Sequence, residues 1–226
     1  MIAGEGGGIT EGFGRGRASV LGVRGGNCTG VAHPGGGGST DALREALKRV
    51  AVALKDAGVP FALGGGYAVY ARGGPEPEHD VDFMIEPDAA DRAVHVLAEA
   101  GLRIERPAED WLAKAWWDDG DQPGMVDLVH EVGGAPVDAA LLSRADVIEL
   151  LSVRMPVLDA TDLLSTKMRA MSEHYCDFGR LLPAARALRE QVDWDRLRQE
   201  TADNNFAAAF LFLAERLGIA DRQPVG

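Results

Sequence analysis

Gly64–Glu86 reads GGGYAVYARGGPEPEHDVDFMIE, a glycine cluster closing an apolar run, then thirteen residues, then two aspartates one residue apart. A tight turn accounts for the glycines and a solvated strand face for lone aspartates. Together, each bordering a predicted strand, they describe a place for phosphates and metal. The run VPFALGG reads as a short buried strand, YAVYARG as a helix of two turns, and VDFMIE as a second strand. Residues two apart in a strand share a face, so Val81, Phe83 and Ile85 point one way and Asp80, Asp82 and Met84 the other. Both carboxylates are therefore aimed to one side, where they repel unless a divalent cation or basic groups come between them. Magnesium, which is hard and bound by a few carboxylates plus substrate phosphates, suits that position.

Working outward, Ser39 is an N-cap candidate for the helix TDALREALKRVAVALKDAG, whose Leu43, Leu47, Val50 and Leu54 recur at helical spacing before Gly58. Pro87 and Asp88 open the next helix, DAADRAVHVLAEAG, and a strand follows at LRIERP. WLAKAWW and GMVDLVHEV, on either side of DDGDQPG, form a predicted antiparallel hairpin. That second strand carries Asp127, which joins the face of Asp80 and Asp82 if it lies beside VDFMIE. Asp138, in APVDAAL, is the rival third carboxylate. Further strands follow, and from Asp159 helical patterns dominate: DATDLLSTKMRAMSEH, DFGRLLPAARALREQ, DWDRLRQETAD and NNFAAAFLFLAERLG. The expectation is an α+β catalytic module, residues 40–158, followed by a C-terminal helical bundle, residues 159–226.

Fifteen of the first 39 residues are glycine, with neither a strand nor a helix period. Such a segment loses much conformational entropy on ordering and offers little apolar area in return, so 1–39 reads as a disordered leader or an early translation start. The 226-residue chain is long enough for a substantial core. Its net charge of −12 disfavours a broad nucleic-acid surface, which needs Lys and Arg to neutralise phosphates. It leaves room for a short RNA end, a nucleotide held through metal, or a cationic small molecule. Two cysteines make no disulfide framework, no apolar run is long enough to span a bilayer, and no signal peptide is evident, so a cytoplasmic protein is expected.

Three carboxylates on neighbouring strands suit phosphoryl or nucleotidyl transfer, in which two metal ions clamp the attacking and leaving oxygens and one carboxylate takes the acceptor's proton. Gly64–Gly66, at a strand-to-helix turn, offers backbone N–H groups and a helix N-terminus to a triphosphate. Gly65-Gly66-Tyr67-Ala68, Asp80-Val81-Asp82 and the later Asp127 resemble the nucleotidyltransferase superfamily that shares its fold with DNA polymerase β. The resemblance implies a mixed sheet with flanking helices, an NTP substrate, and Mg2+ in a two-metal site on Asp80, Asp82 and Asp127.

DATDLLSTKMRAMSEHYCDF further resembles the bacterial AbiEii-type and MenT-type nucleotidyltransferase toxins, in which a helix lysine precedes an aspartate. Lys167 and Asp177 match, implying phosphate contact for the lysine and a part in the active site for the aspartate. Family members often carry another aspartate three residues on, where this chain has Arg180. By periodicity alone Lys167 is a solvated helix residue, and Asp177 is a helix cap. The toxin resemblance implies a tRNA 3′ end as acceptor and an antitoxin partner. A shared resemblance to antibiotic nucleotidyltransferases implies an aminoglycoside or similar acceptor. A fold retained as a non-catalytic binding module is a third reading. Trp111, Trp116 and Trp117 read as hairpin packing or as an aromatic platform for an acceptor, and the histidines lack metal-ligand spacing.

Overall fold

The computed structural model describes residues 40–108, 110–118 and 123–221, so the glycine-rich leader, Cys28 and most of the predicted hairpin turn lie outside the described residues. Its first helix, α1 (Thr40–Asp56), buries Leu43, Leu47, Val50 and Leu54 completely, as their spacing predicts. Each such leucine contributes roughly 1.5–3 kcal/mol by leaving water. Then come β1 (Ala62–Leu63), α2 (Gly65–Ala71), β2 (Val81–Met84), α3 (Pro87–Glu99), β3 (Arg103–Glu105), β4 (Leu112–Trp117) and β5 (Gly124–Val129). A two-stranded ribbon, β6 (Glu131–Val132) and β7 (Ala135–Pro136), precedes α4 (Ala139–Ser143), β8 (Asp146–Leu150) and β9 (Val153–Val157). The chain continues with α5 (Ala160–Arg169), α6 (Phe178–Leu188), α7 (Trp194–Glu200) and α8 (Asn205–Arg216).

Seven strands form one mixed sheet in the order β3-β4-β5-β2-β1-β9-β8. β2 runs parallel to β5, so Asp82 lies beside Asp127, while β4 and β5 form the expected antiparallel hairpin. α1 packs on one face: a Cβ at Gly124 would meet the Ala42 carbonyl oxygen at 2.3 Å. Alternation along the strands puts Val126, Leu128, Val81 and Phe83 on this α1 side. Asp82 and Asp127 consequently point away from it, toward the side occupied by α2. The β8–β9 hairpin, which the sequence leaves unspecified, joins the sheet through parallel pairing of β9 with β1. β8 is an edge strand with Val147 61% exposed, so it lacks the apolar alternation that marks a half-buried strand.

Each of the last four helices begins at a side-chain cap: Asp159, Asp177, Asp193 and Asn204 accept N–H groups of the following turn. A single apolar cluster runs from Leu43 to Ala220, so these helices share the core of the sheet. Buried charge reinforces the join. Asp162, 2% exposed, accepts from Arg144 through two 2.8 Å bonds and from Arg196, which also reaches Asp159 and Glu200. Arg72, at the end of α2, donates to the carbonyl of Leu158 at 2.7 Å and to Asp146 at 2.8 Å. α2 is thus tied to the start of α5. Among the described residues no helix is long and apolar enough to cross a membrane.

Inside α2, Tyr67 is fully buried and its hydroxyl has no hydrogen-bond partner. Burial pushes the phenol up to about 12. An unpaired buried hydroxyl costs stability, so Tyr67→Phe should leave urea stability unchanged or raise it by up to about 1 kcal/mol. A loss above that amount would mean that the hydroxyl is satisfied in solution.

Candidate active site

Two adjacent strands in the interior of the sheet, β2 and β5, bring three carboxylates together. Asp80, Asp82 and Asp127 each present a carboxylate oxygen, and these oxygens lie within 4.8 Å of one another. Asp80 immediately precedes β2, Asp82 is its second residue, and Asp127 comes from the neighbouring strand at the same level as Asp82. Asp127 is 5% exposed. Asp82 is half-buried, with its carboxylate against the backbone of α2. Burial, then the charges of Asp80 and Asp127, push the Asp82 carboxyl up to about 8, against the pull of Lys167 and Lys114. The Asp127 carboxyl is also raised, mainly by burial, and Lys114 opposes the rise. Three hard oxygen donors whose charges resist crowding fit a divalent cation such as Mg2+.

The glycine turn closes this group from the β1 side. The Gly64 N–H donates to the Asp82 carbonyl at 2.8 Å, which sets the turn level with the carboxylates. Gly65 has φ +55° and a Cβ there would stand 1.6 Å from Asp82 Oδ2, so only glycine brings this backbone against that carboxylate. Gly66 faces Pro77, 2.7 Å from where its Cβ would be. Both glycines belong to the first turn of α2, whose N–H groups lack acceptors within the helix. Lys167, in the last turn of α5, is near enough for its charge to act on Asp82. Among the described residues, the group whose oxygens meet within 4.8 Å does not include Asp177. Asp177 caps α6, accepting the Arg180 N–H at 3.1 Å and ion-pairing with the Arg180 side chain at 3.3 Å. Arg180, where the toxin pattern places another aspartate, is thereby the partner of Asp177. Asp138 is occupied in the same manner at the start of α4, accepting from the Leu141 N–H at 2.7 Å.

A family model described as "Uncharacterised nucleotidyltransferase" matches residues 39–222, a range that spans all the described residues. This chain belongs to that nucleotidyltransferase family. Its fold is similar to that of ANT(2")-Ia, solved in complex with adenylyl-2"-tobramycin, at 13% identity and TM-score 0.51, covering 75% of this chain and 97% of that one. An antigenic nucleotidyltransferase-like protein from Paracoccidioides brasiliensis aligns at 13% identity and TM-score 0.47, over 80% and 90% of the two chains. The lincosamide antibiotic adenylyltransferase LnuA, lincomycin-bound, aligns at 16% identity and TM-score 0.40, over 57% and 85%. Comparison with curated proteins returns no match.

The side-chain partner of Asp127 is absent from the sequence expectations. Lys114, on β4, opposes Asp127 across the hairpin and donates to both its oxygens, at 2.8 and 3.1 Å. The signal lay in the hairpin register, which a strand boundary drawn from composition does not fix. Because Asp127 is so little exposed, removing its partner leaves a buried charge unpaired. Lys114→Met should lower urea stability by about 3 kcal/mol at pH 8 in metal-free buffer. Added Mg2+ should restore part of the loss. Equal stability of variant and parent would show that Lys114 does not hold Asp127 in its ionised form.

Proposed function

We propose that this nucleotidyltransferase moves a nucleoside monophosphate from an NTP to a hydroxyl of a small polycationic acceptor of the aminoglycoside type, with Mg2+ as cofactor. The observation that carries the transfer reading is the meeting of Asp80, Asp82 and Asp127 within 4.8 Å. Asp80 and Asp82 hold metal, and Asp127 serves a second metal position. Bound there, Mg2+ supplies the positive charge that offsets the triphosphate and the displaced oxygens. Asp127 orients the acceptor hydroxyl and takes its proton. Gly65, Gly66 and Lys167 receive the triphosphate at the positive end of α2. The acceptor oxygen bonds to the α-phosphorus while the bond to the bridging oxygen breaks, and pyrophosphate leaves. Asp177 is left as the cap of α6.

Charge supports the acceptor class. A chain of net charge −12 draws polycations and repels RNA phosphates. The fold shared with ANT(2")-Ia agrees with that choice. NTP use suits a cytoplasmic location, and an antitoxin partner forms no part of the proposal. The test is incubation with each labelled NTP and Mg2+, in parallel with an aminoglycoside panel including tobramycin and with total tRNA. A monophosphate adduct on an aminoglycoside, identified by mass spectrometry, is the expected product. Label on tRNA alone would overturn the acceptor and keep the transfer. No label on either, with Mg-NTP demonstrably bound, would overturn the transfer itself.

A further inference from the structure

The register of the sheet lays side chains out in two rows on the face that carries the carboxylates. Residues directly opposite one another share a face. Glu105 opposes Lys114, Lys114 opposes Asp127, and Asp127 lies beside Asp82. In the second row Arg103 opposes Trp116 and Trp116 opposes Met125. Asp80 falls at the level of Met125, because the next pair along is Val81 with Val126. Strands lie ~4.8 Å apart, so Trp116 stands two strands, roughly 10 Å, from Asp80.

The order across the sheet assigns a side to each substrate. The glycine turn that receives phosphates is at β1, the paired aspartates at β2, the proposed base Asp127 at β5, and Trp116 at β4. An acceptor must approach the base from the side opposite the phosphates. That approach passes over Trp116, which is half-buried and offers its ring to solvent, while Lys114 is drawn onto Asp127. The Trp116 indole N–H donates to Glu105 at 3.2 Å, which fixes the ring. The ring already accepts a cation, since the Arg103 guanidinium carbon lies 5.2 Å from its centroid. Arg103 is flanked by Asp118 at 3.4 Å and Glu105 at 4.0 Å.

We propose that Trp116, Glu105 and Asp118 form the acceptor subsite, in which the ring takes the apolar face of an amino sugar and the two carboxylates take its ammonium groups. Arg103 is the internal cation with which those ammonium groups exchange. In the subsite itself two carboxylates, Glu105 and Asp118, stand against one cation, Arg103. The balance selects a cationic ligand over an RNA end, whose phosphates it repels. The assignment rests on the transfer reading above, because it takes Asp127 as the base toward which the acceptor is brought.

Calorimetry separates the two. Tobramycin is titrated into the full chain and into Trp116→Ala, Trp116→Phe and Glu105→Gln, and Mg-ATP is titrated into each separately. Trp116→Ala should weaken tobramycin binding about tenfold or more, whereas Trp116→Phe, keeping an aromatic face, should stay within about threefold of the parent. Glu105→Gln should weaken it about threefold and flatten its salt dependence. Mg-ATP affinity should be the same in all four proteins. Unchanged tobramycin affinity in both Trp116→Ala and Glu105→Gln would overturn the subsite, as would an equal loss of Mg-ATP binding in them. If the parent binds Mg-ATP but not tobramycin, and Trp116→Ala impairs labelling of tRNA, the amino-sugar assignment fails while the transferase reading stands. If the parent binds no Mg-ATP, the reading beneath it fails.

Discussion

Asp82→Asn should abolish nucleotide transfer, by about a thousandfold or more, and make the protein more stable. Both effects come from one carboxylate. In the folded protein its carboxyl is raised from 3.8 to about 8, so the fold favours the neutral form. The resulting stability is fully present below pH 4 and is lost as pH rises through 8. At pH 8 without divalent metal the asparagine variant, which keeps the shape and discards the charge, should be more stable by about 1–3 kcal/mol. Its advantage should shrink as pH falls toward 3, where the parent carboxyl is neutral in both states. Mg2+ should raise the melting temperature of the parent and leave that of the variant nearly unmoved. Melting curves of the two proteins at several pH values, with EDTA and with Mg2+, provide the measurement. A constant gap between them across pH would sink the claim that crowding raises this carboxyl.

Among the described glycines, Gly65→Ala should be the most damaging alanine substitution. The new Cβ would lie 1.6 Å from Asp82 Oδ2 and 2.5 Å from its Cγ, at a φ of +55° that L side chains rarely adopt. Backbone strain alone costs about 1–3 kcal/mol, and relief requires moving the turn away from the carboxylate or the carboxylate away from its two partners. Either movement disrupts the site, so transfer should fall about a hundredfold or more while the fold loses a few kcal/mol. Gly66→Ala is the control. Its Cβ would meet the Pro77 side chain at 2.7 Å, in a loop rather than in the carboxylate group. Steady-state rates and thermal stability should therefore rank Gly65→Ala well below Gly66→Ala, and the reverse order would contradict the placement of Gly65 against Asp82.

Much of this site is legible in the chain itself because it depends on short-range rules. Two residues apart in a strand means one face, so Asp80 and Asp82 pair without knowledge of the fold. Glycine where a strand turns into a helix similarly anticipates the approach of backbone to carboxylate. Asp127 needed one further step, the adjacency of two strands, which the family resemblance supplied. Lys114 and Glu105 were beyond reach because their places follow from the hairpin register, and a shift of one residue would turn both to the α1 side. For Asp177 the structure contains the cap that the local rule predicts, with Arg180 as its ion-pair partner. Lys167 is the opposite case. Its helical periodicity suggests solvent, and only the packing of α5 against α2 brings its charge to Asp82.

The parallel pairing of Asp82 with Asp127 has a consequence for how such a chain can diverge. The two strands are remote in sequence yet locked at one level, with apolar neighbours of each facing α1. Between them, connecting segments can grow or shrink by whole stretches with little penalty, because loop closure depends only weakly on length. A single residue gained or lost inside β5 is different in kind. It would turn a charged group into the oily side and an oily one toward the phosphates in the same stroke. Descendants of this sequence are therefore free to vary in length in the connecting loops but not within the paired strands. In those strands inheritance of the fold and inheritance of the chemistry are a single event.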